Sequence, residues 1–206
     1  ELIGYRKSTR LPEVLFQEKP VIDDGVSITR YYIRSESGRD IPVTLVQKEA
    51  QDSPIPIMIC LHGHNSGAHL SWGEMLLPAD PLKLSVGADY ARQATDRGFL
   101  AVCIEQECFG ERREKSLSKP SPHTCFDAAH NSIMLGKTLL GERIEDISTV
   151  IDWLMDPGTE TLADKSRIYT MGNSAGGDSA VFSAALDERI MGVMASGCVG
   201  RFRVAT

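Results

Sequence analysis

The chain has 206 residues, 42% hydrophobic and 24% charged, the length and composition of one soluble globular domain with a substantial core. Its net charge of -6, with no Lys/Arg cluster, argues against a nucleic-acid-binding surface. No apolar run approaches the length of a bilayer-spanning helix, so no membrane partner is expected either.

The opening residues ELIGYRKSTR lack the apolar centre of a signal peptide, and Glu1 in place of a starting Met implies that something was removed or left out. Two β-rich runs follow, VSITRYYIR (26–34) and IPVTLVQ (41–47). Joined by the turn-forming SESGRD, they are expected to pair as an antiparallel hairpin. IPIMICLH (55–62), GFLAVCIE (98–105), RIYTMG (167–172) and IMGVMASG (190–197) are apolar on both faces, as are strands buried between helix layers in a parallel sheet. Residues 88–97 read as a helix closed by Gly98. Residues 136–155 carry Leu140, Ile144, Ile147, Ile151 and Leu154 at helical spacing, with Pro157 after the stop. Residues 175–187 form a small-residue helix suited to close packing on a sheet. Between strand and helix, 106–135 is polar and contains two prolines; it is expected to be a long loop, lid-like, on the active-site face. Inside it, Arg112 and Arg113, flanked by Glu111 and Glu114, read as a mixed, solvated segment. A hairpin followed by repeated β-α-β units predicts a single three-layer α/β domain, 1–206, with a mainly parallel sheet.

The chemistry concentrates in Gly172-Asn173-Ser174-Ala175-Gly176. A G-x-S-x-G string is weak by itself, but this one lies directly after a strand and directly before a helix, the setting of a nucleophile elbow. Such a turn lifts the serine hydroxyl above the sheet, and glycines on either side let strand and helix approach. The N–H of Ala175, at the helix N-terminus, is a candidate donor to an oxyanion. The strand 55–62 ends in His62-Gly63-His64, and the loop after this strand supplies the second donor in such folds; the candidate is the N–H of His64. His62 is expected to anchor that loop by hydrogen bonding. Cys60, Cys103, Cys108, Cys125 and Cys198 are odd in number and irregular in spacing, against a disulfide framework or a zinc site. Two of them lie in apolar strands, which favours a reducing compartment such as the cytoplasm.

ICLHGHNSG (59–67), CFGERRE (108–114), LLGERIEDISTVIDWL (139–154) and RIYTMGNSAGGDSAVFSAALDERI (167–190), in this order, resemble the dienelactone-hydrolase-like branch of the α/β-hydrolases, especially its acetyl xylan esterase-like members. The resemblance implies hydrolysis of carboxylic esters through an acyl-enzyme, with a small-molecule or carbohydrate ester as substrate and no metal or organic cofactor. It also implies an acid and a histidine after later strands, in the order Ser, Asp/Glu, His, so both are expected beyond Thr206 and the sheet is expected to lack its C-terminal strands. An apolar strand 190–197 would otherwise be an open edge, covered by further strands or by self-association. His123 or His130, in the long excursion, is a weaker candidate for the base, and Glu105 and Glu107, possible acids, are expected instead to pair with nearby arginines. A peptidase of the prolyl-oligopeptidase-like type and a non-catalytic binding protein are the alternatives.

Overall fold

The computed structural model describes residues 3–49, 52–64, 67–113, 124–159, 161 and 163–198. Their strands are β1 (Glu13–Gln17), β2 (Val21–Asp23), β3 (Val26–Arg34), β4 (Asp40–Lys48), β5 (Ile55–Leu61), β6 (Leu100–Ile104), β7 (Ala163–Asn173) and β8 (Ile190–Ser196). The helices are α1 (Asp80–Ser85), α2 (Tyr90–Asp96), α3 (Thr124–Met134), α4 (Leu139–Met155) and α5 (Ala175–Leu186), with 3-10 turns at Ala68–Trp72 and Gly110–Arg112.

Side-chain alternation along the central strands sets the layers. In β5, Ile57, Ile59 and Leu61 join the core on one face of the sheet, Met58 and Cys60 that on the other. β6 repeats this with Leu100, Val102 and Ile104 against Ala101 and Cys103. The first face is covered by Ile147, Val150, Ile151 and Leu154 of α4 with Ala180 of α5, and the second by Ala91 and Ala94 of α2 with Ala68 and Trp72. Burying one such aliphatic side chain contributes about 1.5–3 kcal/mol. Both faces being dry explains why these strands carry no polar side.

All strands lie in one sheet, in the order β1-β3-β4-β6-β5-β7-β8, with β2 beside β3. β3 and β4 form the expected antiparallel hairpin, and β6, β5, β7 and β8 run parallel. β4 runs antiparallel to β6, so the start of β4 lies at the carboxyl end of the parallel strands. β8 is the last strand of this order, with Met191, Val193 and Met194 exposed.

The predicted helices 88–97, 136–155 and 175–187 correspond to α2, α4 and α5. α2 is followed by Gly98 at φ 79°, a left-handed residue that ends it. α4 starts later than periodicity suggested, because Gly136 at φ 71° breaks the chain first and Thr138 then caps the helix, its Oγ1 accepting from the Gly141 N–H at 2.9 Å.

Two expectations need correction. The stretch 106–135 is not a loop throughout: it holds the 3-10 turn at Gly110–Arg112 and the whole of α3, while 114–123 lie outside the described residues. α3 looked like loop because its composition is polar; it is tied to α4 by Ser132 Oγ donating to Glu142 Oε2 at 2.7 Å. Nor is Arg112 solvated. Its side chain is buried, and Nη1 donates to Asp146 Oδ2 (2.8 Å) and to the Glu105 carbonyl (3.0 Å) while Nη2 pairs with Glu107. Asp146, also buried, receives Arg39 on its other oxygen at 2.8 Å.

Candidate functional site

β7 ends at Asn173 and α5 begins at Ala175, leaving Ser174 alone in the turn with φ 53° and ψ -124°. A non-glycine residue held there costs about 1–3 kcal/mol and persists only where its surroundings impose it. Here they do. The Ser174 N–H donates to the Ser196 carbonyl of β8 at 2.8 Å, and its own carbonyl accepts from the Asp178 N–H at 3.0 Å. A Cβ on Gly172 would strike the Gly176 carbonyl and lie 2.8 Å from the Gly177 nitrogen. One on Gly176 would strike the Leu61 carbonyl and lie 2.6 Å from the His62 oxygen. The start of α5 therefore rests directly on the end of β5, and Ala175 presents the first N–H of a helix, where donors lack intrahelical partners.

The loop after β5 presses on the same turn. A Cβ on Gly63 would lie 2.8 Å from the Asn173 carbonyl and 3.2 Å from Ser174 Cβ. His64 follows with an exposed side chain, its ring edge-on to Phe109 at 5.5 Å. Partial desolvation and the Arg143 charge hold its imidazole below the ordinary histidine value, against the pull of Asp178. Arg143 packs its guanidinium over the Phe109 ring, 5.1 Å from its centre, and donates to the Glu107 carbonyl at 3.0 Å.

His62 anchors the loop, as expected. Nδ1 lies 2.9 Å from the Gly63 carbonyl, and Nε2 lies 3.0 Å from Glu105 Oε1. Glu105 thus partners His62 and the Ala68 N–H rather than an arginine, whereas Glu107 does pair with Arg112. Sequence reasoning missed Gln106, which hydrogen-bonds the His62 carbonyl and accepts from Ser179 Oγ at 2.8 Å. The available signal was an acidic and an amide residue closing a wholly apolar strand.

His69 and His130 are engaged elsewhere. His69 Nε2 lies 2.9 Å from buried Asp80, whose Oδ2 also accepts the Leu76 and Leu77 N–H groups. His130 Nδ1 lies 2.8 Å from the Phe126 carbonyl on the surface of α3, and His123 falls outside the described residues. Among the described residues no histidine is hydrogen-bonded to Ser174. A groove of about 620 Å³ opens at the carboxyl end of the sheet, lined by Tyr32, Arg39, Pro42, Glu107, Leu135 and Glu142 among others.

No protein-family model matches the chain. It is 28% identical over 149 residues to YtaP of Bacillus subtilis (strain 168), a protein named as a hydrolase, covering 72% of this chain and 45% of that one. In structure it is similar to a Bacteroides fragilis NCTC 9343 protein described as an acetyl xylan esterase (TM-score 0.73, 19% identity, 89% of this chain and 47% of the other). It is also similar to a Klebsiella pneumoniae subsp. pneumoniae MGH 78578 protein described as a dienelactone hydrolase (TM-score 0.57, 17% identity, 86% and 63%). The chain spans about half the length of the first two. Its mainly parallel sheet, layered between helices and turning sharply at Ser174, is the α/β-hydrolase fold, shared with neighbours described as acetyl xylan esterases and dienelactone hydrolase.

Proposed function

We propose that this chain carries the nucleophile half of a serine hydrolase acting on carboxylic esters. The observation that carries the reading is the positive φ of Ser174, imposed on a non-glycine residue by main-chain contacts from three strands. In the mechanism, Ser174 Oγ attacks the ester carbonyl carbon and its proton passes to a base. The N–H groups of Ala175 and His64 receive the oxyanion, and the alcohol leaves from a tetrahedral intermediate. Water then hydrolyses the acyl-enzyme by the reverse sequence. His62, His69 and His130 hold other partners and no described histidine is hydrogen-bonded to Ser174, so the base and its orienting acid are assigned to residues outside those described.

Names of the similar proteins support an ester substrate, and those described as acetyl xylan esterases favour a carbohydrate ester. The test is turnover of acetylated oligosaccharides and 4-nitrophenyl acetate by the full-length protein and its Ser174→Ala variant. Hydrolysis falling by at least about a thousandfold is expected; undiminished turnover sinks the nucleophile assignment. A fluorophosphonate that fails to label Ser174 would favour a binding protein, and cleavage of chromogenic peptides over acetyl esters a peptidase.

A further inference from the structure

Glu105 and Gln106 follow directly on β6, which ends beside β5, and both are buried. The Glu105 carboxylate receives the Ala68 N–H on both oxygens, at 3.1 and 3.2 Å, and faces His62 Nε2 at 3.0 Å. One carboxylate thereby grips both ends of the loop between β5 and the 3-10 turn. Gln106 reaches the other way. Its Nε2 donates to the His62 carbonyl, and its Oε1 accepts from Ser179 Oγ at 2.8 Å. Ser179 lies one turn into α5, its Oγ 3.0 Å from the Ala175 carbonyl oxygen. The Gln106 amide thus bridges the loop after β5 and the first turn of α5.

We propose that Glu105 and Gln106 are positioning residues: they fix the loop carrying the His64 N–H against the start of α5, setting the width of the oxyanion site. The inference rests on the nucleophile reading above and adds residues that touch neither substrate nor reacting atoms. Donors must lie within about 2.7–3.1 Å of the developing oxyanion, and a misplacement of about 1 Å costs on the order of 100-fold in rate. Losing the bridge should therefore lower kcat and leave ground-state binding alone.

The two halves of the bridge separate chemically. Gln106→Glu keeps an acceptor for the Ser179 hydroxyl but turns an oxygen towards the His62 carbonyl. Ser179→Ala removes only the helix half, and Gln106→Ala removes both. Amide hydrogen exchange on the full-length protein reads the coupling directly, whatever the activity. Exchange should quicken about tenfold or more in 62–72 for Gln106→Glu, in 174–180 for Ser179→Ala and in both for Gln106→Ala, with 26–48 unchanged. On acetyl esters, Gln106→Ala should lose about 100-fold in kcat with KM within about twofold. Unchanged exchange in 62–72, or a KM rise with kcat intact, overturns the proposal. Should Ser174→Ala turn over like the parent, the nucleophile reading fails, and the exchange measurement still decides whether Gln106 joins loop to helix.

Discussion

At the turn around Ser174, main chain lies against main chain, and the glycines at 63, 172 and 176 face carbonyl and amide atoms with no room for a side chain. At the same end of the sheet, where β4, the residues after β6 and α4 meet, contact is made by long charged side chains: Glu107–Arg112–Asp146–Arg39–Glu145 form one chain of ion pairs. Both regions join three or more elements, yet they are specified in opposite ways. The first depends on atoms that are missing; the second depends on charges that match. Main-chain contact transmits position without slack, which suits a turn that must hold a strained serine. Ion pairs can relax by rotamer changes, which suits the outer seam between hairpin and helix.

Gly176→Ala is the hardest test of the contrast. The new Cβ meets the Leu61 carbonyl with no flexible atom to yield, so a loss of at least about 4 kcal/mol is expected, read as little soluble protein or as a collapsed denaturation midpoint. A stability within about 1 kcal/mol of the parent would show that the turn does have slack. Asp146→Ala comes next. It leaves the Arg39 and Arg112 guanidiniums without their shared carboxylate, and a buried pair broken from one side costs about 3–5 kcal/mol. Repair by a second, charge-removing change at Arg39 would show how far the seam can adjust. Ser174→Gly is the smallest and opposite in sign: glycine accepts a positive φ, so thermal unfolding should shift up by the equivalent of about 1 kcal/mol. No shift would mean that the turn holds little strain.

These two modes also decide what the sequence could disclose. Gly172, Ser174 and Gly176 sit at fixed offsets between an apolar strand and a small-residue helix, so local order alone announced the elbow, and His62-Gly63 announced the loop opposite it. β3 and β4 were readable because their β-rich runs flank a turn cluster. The ion-pair seam was not readable, since Arg39, Arg112 and Asp146 are far apart in sequence and their pairing exists only after the sheet has brought them together. Arg112 among acidic neighbours has the composition of a solvated segment whether or not it is buried. Glu105 was assigned an arginine for the same reason: its true partners, His62 and the Ala68 N–H, become adjacent only because β6 lies beside β5. α3 escaped because Asp127, His130 and Asn131 dilute its apolar positions, and β1 and β2 because short, exposed strands carry no alternation signal.

The clash at position 176 is with a carbonyl, which every amino acid carries. No change of side chain at residues 61 or 62 can make room there, so this glycine has no second-site suppressor within the contact itself. Lineages descending from this sequence can trade Arg for Lys or swap the signs of a pair along the seam, and drift; at the turn they can only keep what they have. A saturation library should show this as a sharp boundary, with permissive columns at 39, 112 and 145 when varied jointly and a closed one at 176.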